Sequence, residues 1–280
     1  MEIENIKVIV FDLDGTLYED THHFDYYAKR LNEKVNSPYK AHFGIDYKKA
    51  KDGKHPLRIG RVYDIYEDLI LVHHHCQVIA AYEWDGREVP REKVTHHYLS
   101  PIVLDFDTML NIGDLWWIPA AIAYHYGVTN NQVEKAFLET RKFMMRDEFQ
   151  LQKIAHFKGV LQELRDHTKL ILLTNSPEPD SRVILQKLGL QHTFHRTTFL
   201  AKKPIDTKKH FTAIKHIFGV KYNEILSIGD NWINDILPAG ELGCLTMYID
   251  PHNIGQENAA DLIVPSIRDV IPLLKKRTCF

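Results

Sequence analysis

Lys7 is followed by Val8-Ile9-Val10-Phe11, an unbroken run of β-branched and aromatic residues. Such a run predicts a strand buried on both faces, as in parallel sheets. From about residue 158 onward, short apolar runs alternate with amphipathic stretches. Helices are predicted over Val160 to Leu164, Ser181 to Leu188, Lys208 to Phe218, Ile233 to Glu241 and from Ser266 through Leu274. Strands are predicted over Leu170 to Leu173, Phe194 to Phe199, Ile225 to Ile228, Cys244 to Ile249 and Leu262 to Val264. Gly189 and Gly219 stand where helices stop, and Ser266 stands where one starts. This alternation predicts a parallel sheet with helices on both faces.

Between these segments the period changes. Phe24, Tyr27, Leu31 and Val35 fall at helical spacing, as do Val62, Ile65, Tyr66, Leu69 and Ile70. Residues 73–113 show no clear period. Val78 to Trp84 reads either as a strand entering an Asp85-Gly86 turn or as the tail of a helix. Ile118 to Tyr126 predicts a helix stopping at Gly127. Thr129 and Gln132 form a capping box for a further helix that buries Val133, Phe137, Thr140 and Met144. The expected organisation is a core of residues 1–18 and 158–280, with 19–157 inserted as a mainly α-helical domain. The insertion leaves and rejoins the core beside the first strand's end, where it can act as a lid.

Composition narrows the class. The chain has 280 residues, 44% hydrophobic and 26% charged, an ordinary globular balance. A formal net charge of −2 gives no general attraction to nucleic acid or to an acidic membrane. No apolar run reaches the length of a membrane span, and no apolar leader precedes the first strand. Cys76, Cys244 and Cys279 form no CxxC pair, which points to a reducing, cytoplasmic setting rather than a disulfide or zinc framework.

The chemistry gathers where core strands end. Asp12-Leu13-Asp14-Gly15-Thr16 closes the first strand, and Thr174-Asn175 the second. Lys203-Pro204 follows a weaker strand, and Gly229-Asp230 opens a stretch ending at Asp235. Asp12 and Asp14 lie two apart, so in a near-extended chain they point the same way and repel. A cation between them removes that cost. Ligands of open parallel sheets sit beyond the strands' carboxyl ends, where strand order reverses. Asp12, Asp14, Asp230 and Asp235 would there form an oxygen-rich pocket suited to Mg2+.

These four stretches, in this order, resemble the DxDGT, Ser/Thr, Lys-Pro and GDxxxxD motifs of the haloacid dehalogenase-like hydrolase superfamily. The resemblance covers residues 6–16 and 158–275. It implies a Rossmann-like core, an inserted cap, Mg2+ dependence and phosphoryl transfer through an aspartyl-phosphate. Asp12 is the expected nucleophile, since a carboxylate can attack phosphorus. Asp14 is the expected general acid, and its backbone carbonyl a metal contact. Asp230 and Asp235 complete the expected metal set, with Asp235 also holding the loop. Thr16, Thr174, Asn175 and Lys203 are expected on the substrate phosphate, and Thr174 and Lys203 also serve catalysis. Lys203 is chosen over Lys202 because it directly precedes Pro204.

The expected activity is a Mg2+-dependent phosphatase acting on a small phosphorylated metabolite. A phosphomutase and a non-catalytic regulator of the same fold are the alternatives. A dehalogenase needs no second aspartate, so Asp14 argues against one. Other groups have plainer readings. The basic stretch Lys40 to Arg61 is a solvated face or a receiver of anionic substrate. His73, His74 and His75 are consecutive and do not converge on a metal. His22 and His23, just past the acidic turn, either line the entrance or, as expected here, lie at the surface, and Trp116 and Trp117 are expected in the core of the insertion.

Overall fold

The computed structural model describes residues 5–105, 107–253 and 260–275. It divides into two compact units, one of residues 1–20 and 144–280, the other of residues 21–143.

The first unit holds a six-stranded sheet. In chain order its strands are β1 (Val8–Phe11), β6 (Lys169–Leu173), β7 (Arg196–Thr198), β8 (Ile225–Gly229), β9 (Leu245–Ile249) and β10 (Leu262–Val264). They lie in the order β10-β9-β8-β1-β6-β7, and each pairing is parallel. Its helices are α6 (Phe157–Arg165), α7 (Glu178–Leu188), α8 (Thr207–Phe218), α9 (Leu237–Glu241) and α10 (Ile267–Lys275). Alternate β1 residues serve opposite faces. Val8 and Val10 pack with Phe211 and Ile214 of α8, while Phe11 meets Phe157 and Phe194 edge-on at 6.4 and 6.1 Å. Both faces are thus covered, as the unbroken apolar runs require. The sheet grows from β1 in two directions, towards β6 and towards β8, so the reversal of strand order lies at β1 itself.

The predicted core elements appear within a few residues of their expected limits. The segment after β8 differs: it is a single π-turn (Trp232–Ile236) leading into the short α9, where Pro238 stands in the first turn. A proline there lacks the N–H that would continue an unbroken helix from Ile233.

The second unit contains α1 (His22–Asn32), α2 (Lys40–Lys51), α3 (Arg91–His97), α4 (Trp117–His125) and most of α5 (Asn130–Met145). It also contains an antiparallel sheet of order β4-β3-β2-β5, built from β2 (Arg61–Asp64), β3 (Leu69–His74), β4 (Gln77–Tyr82) and β5 (Met109–Ile112). Helices hold more of its residues than strands do, yet this sheet corrects the helix expected from Val62 to Ile70. Those apolar positions flank a turn. Buried Asp64 accepts the backbone N–H groups of Tyr66 and Glu67 at 3.0 and 3.1 Å, and its other oxygen takes the Tyr98 hydroxyl at 2.8 Å. The Tyr63 hydroxyl donates to Asp68, whose φ is 54°. Two short strands about an Asp-centred turn mimic a helical spacing. Val78 to Trp84 resolves into β4, entering the Asp85-Gly86 turn as a strand.

His23 also departs from expectation. It is buried, packed against Phe24 and Trp116 at 3.9 and 5.1 Å. Trp116 packs against Tyr27 and Phe137, inside the insertion as expected. In the basic stretch, Lys51 pairs with Asp25 and Lys40, Lys48, Lys54 and Arg58 are exposed. Cys76 and Cys244 are free thiols, and Cys279 lies outside the described residues.

The return to the first unit comes at residue 144 rather than 158. Phe149, Leu151 and Ile154 are buried, and Lys187 of α7 donates to the carbonyls of Met144, Arg146 and Phe149. A lysine collecting carbonyls at a helix C-terminus satisfies groups the helix leaves open. No helix among the described residues is long and apolar enough to cross a membrane.

Candidate active site

The register of the parallel sheet sets the site. Phe11 pairs with Leu172 on one side and Ile228 on the other. Asp12, Thr174 and Asp230 therefore emerge at nearly one level, just past the ends of β1, β6 and β8. Asp12 is tied back to β8 through its N–H, which donates to the Ile228 carbonyl at 3.1 Å.

Carboxylate oxygens of Asp12, Asp230 and Asp235 lie within 4.8 Å of one another. Gly15 makes this approach possible. Its φ is +78°, and a Cβ there would stand 2.0 Å from Asp230 Oδ2. Gly229 serves Asp235 likewise, since a Cβ on it would lie 2.4 Å from Asp235 Oδ2. The π-turn holds Asp235 inward. Asn231 Oδ1 accepts the Asn234 N–H at 3.2 Å, and the Asn231 N–H donates to Asp235 Oδ2 at 3.3 Å.

Lys203, 2% exposed, is the lysine that enters, while Lys202 is exposed with a φ of 53°. Lys203 Nζ donates to Asp12 Oδ1 at 2.7 Å and to Asp235 Oδ1. Asn175 holds the loop that carries it: Lys203 N–H donates to Asn175 Oδ1 at 2.7 Å, and Asn175 Nδ2 donates to the Lys203 carbonyl at 2.9 Å. The Asn175 side chain is thus engaged with Lys203 backbone.

The electrostatics follow from burial. Burial pushes the Asp12 carboxyl above the usual range; Lys203 opposes this, and Asp235 and Asp14 add to it. Asp235 is raised for the same first reason, against Lys203 and the Asn231 N–H. Burial alone would lower the Lys203 ammonium, but Asp12 and Asp235 outweigh it and hold its pKa above the ordinary lysine value. Three carboxylates and one ammonium leave a charge of −2 when all are ionised. That charge, on hard oxygen donors, fits one divalent cation of the Mg2+ kind.

Asp14 is not among the three carboxylates that gather within 4.8 Å, although its charge helps raise Asp12. The Asp14 carboxylate instead accepts the hydroxyls of Tyr18 and Ser176. Neither hydroxyl belongs to the motif positions. Their sequence signal is slight: Tyr18 is four residues past Asp14, and Ser176 two past Thr174. Thr174 is buried, with its hydroxyl accepting the Ser176 N–H at 3.1 Å. Thr16 is buried, and its hydroxyl meets no protein partner. The three consecutive histidines run from the end of β3 into the β3–β4 turn. The three-aspartate cluster is the metal-competent group found among the described residues.

Comparison with known proteins bears on the fold and the family. No functionally curated protein matches the chain. A magnesium-bound HAD hydrolase of Bacillus subtilis superposes with a TM-score of 0.52 at 15% identity, over 96% of this chain and 98% of that one. A predicted phosphoglycolate phosphatase from Haemophilus somnus gives 0.50 at 16% identity, with the same coverage. A haloacid dehalogenase-like protein of Streptococcus pneumoniae gives 0.51 at 14% identity, again over 96% and 98%. At these identities the likeness is one of fold. The model of the haloacid dehalogenase-like hydrolases matches residues 6–243, and the chain belongs to that family.

Proposed function

We propose that the protein is a Mg2+-dependent phosphatase that hydrolyses a small phosphorylated metabolite through an aspartyl-phosphate on Asp12. The observation that carries this reading is the meeting of Asp12, Asp230 and Asp235 at the reversal of strand order, with Lys203 paired to Asp12 and Asp235. Asp12, Asp230 and Asp235 would hold the cation, together with the Asp14 carbonyl. When bound, Mg2+ offsets charge on the transferring phosphoryl group.

The remaining work falls to the chain's own groups. An Asp12 oxygen attacks phosphorus, and the bond to the leaving oxygen breaks. Asp14 gives that oxygen a proton, then takes one from the water that opens the acyl phosphate. Lys203 lowers the cost of ionising the buried nucleophile and balances charge on the phosphoryl oxygens. The Thr174 hydroxyl, free to donate, and the Asn175 N–H are assigned to the phosphate, as is Thr16. The presence of Asp14 favours phosphate esters over haloacids as substrates. The free Cys76 and Cys244 thiols suit a reducing, cytoplasmic setting.

The test is phosphate release from p-nitrophenyl phosphate with and without Mg2+. Turnover should require the metal and fall at least about 10³-fold in Asp12→Asn, because an amide is a poor nucleophile. Turnover in the presence of a chelator, or near-normal turnover by Asp12→Asn, would sink the reading.

A further inference from the structure

Asp14 is gripped at both carboxylate oxygens by hydroxyls from different parts of the core. Tyr18, 1% exposed, donates to Oδ1; Ser176, also buried, donates to Oδ2. We propose that Tyr18 and Ser176 are positioning residues that aim the Asp14 carboxyl at the leaving oxygen of the substrate. The inference rests on the phosphatase reading above.

Geometry supplies the first argument. A carboxyl held at one oxygen still swings about two side-chain torsions, whereas one held at both does not. The two tethers are themselves fixed. Tyr18 is bridged to Asp14 through the backbone, and Ser176 follows β6 with its N–H on the Thr174 hydroxyl. Proton transfer needs heavy atoms within hydrogen-bond reach, and a misplacement of about 1 Å costs on the order of 100-fold in rate.

The type of partner supplies the second. A group that both gives and takes a proton needs neighbours that suit each state. A hydroxyl donates to a carboxylate and, after turning, accepts from a carboxyl O–H. An ammonium only donates, and so favours the ionised form alone. The site separates the two cases. Asp12 and Asp235 share the Lys203 ammonium; Asp14, which exchanges a proton, has the Tyr18 and Ser176 hydroxyls. In the first step the P–O bond breaks with its electron pair passing to the ester oxygen, which takes the Asp14 proton, while Asp12 bonds to phosphorus. In the second, water oxygen bonds to phosphorus, its proton passes to Asp14, and Asp12 leaves as carboxylate.

The experiment compares Tyr18→Phe and Ser176→Ala on two esters. p-Nitrophenolate leaves readily, whereas phenol, with a pKa of about 10 like tyrosine, depends more on the proton. Each variant should lose about 30-fold in kcat on phenyl phosphate and about 3-fold on p-nitrophenyl phosphate, with KM nearly steady. In an Asp14→Ala background neither change should cost anything further, since the group being aimed is gone. Equal losses on both esters, no loss on either, or full additivity with Asp14→Ala overturns the positioning role. Tyr18→Phe keeps the buried ring, so it decides the matter if Ser176→Ala misfolds. A wild-type protein that hydrolyses neither ester overturns the phosphatase reading itself, and the role with it.

Discussion

Gly15 and Lys203 carry constraints that no substitute meets. At Gly15 the φ of +78° and the 2.0 Å gap to Asp230 exclude any side chain. Gly15→Ala should cost more than about 1 kcal/mol of stability from the backbone alone, and displace Asp230. Calorimetric titration with Mg2+ should then show weakened binding; unaltered affinity would mean Asp230 does not ligate. Lys203 is the counter-charge for two buried carboxylates. Lys203→Met should destabilise the metal-free protein by about 3–5 kcal/mol near pH 8, because it strands both. Urea unfolding measures this, and a stable variant would mean the carboxylates are hydrated. Residues of this kind were readable in the sequence, because the motif stores chemistry in side-chain type and spacing. Tyr18 and Ser176 were not, since a hydroxyl four residues past an aspartate, or two past a threonine, has many ordinary uses.

The elements divide by how they are stabilised. Core strands such as β1 and β8 are buried on both faces, so their sequences are continuously apolar and their limits legible. The β2–β3 hairpin of the insertion is different. Its strands are short, and its turn depends on Asp64, which accepts two backbone N–H groups and the Tyr98 hydroxyl. The Tyr98 bond spans 34 residues, and no local pattern announces it. Asp64→Ala should therefore destabilise the protein by about 2 kcal/mol or more, since three donors lose their acceptor. Thermal melts should register this as a lowered Tm; an unchanged Tm would mean the turn forms without its acceptor. The π-turn after β8 is a comparable case. Asp235 reads as a helix residue by position, yet its carboxylate accepts the Asn231 N–H and the Lys203 ammonium at the site.

At the level of the whole molecule, acidity and metal binding are linked. Burial raises Asp12 and Asp235 above the usual carboxylate range. As pH rises through that interval, the unfolded chain releases these protons before the folded one does. The metal-free fold accordingly loses this contribution to stability with rising pH. On the proposed reading, Mg2+ would bind the ionised carboxylates and reverse the loss. The rise in Tm on adding Mg2+ should be larger at pH 8 than at pH 5.5. A shift of equal size at both values would mean the cation does not meet these two groups.

The sequence alone determined the α/β core, the order of its strands along the chain and the residue types at their ends. Each is a local property: period, run length and motif spacing. Tertiary structure alone decided which hydroxyls hold the Asp14 carboxylate, how the π-turn brings Asp235 to Asp12 and Lys203, and that the insertion contains a sheet. Those outcomes depend on contacts between residues far apart in the chain, such as Lys203 with Asp12, Ser176 with Asp14 and Tyr98 with Asp64. Separations that long leave no period in a sequence, because packing rather than spacing selects the partner.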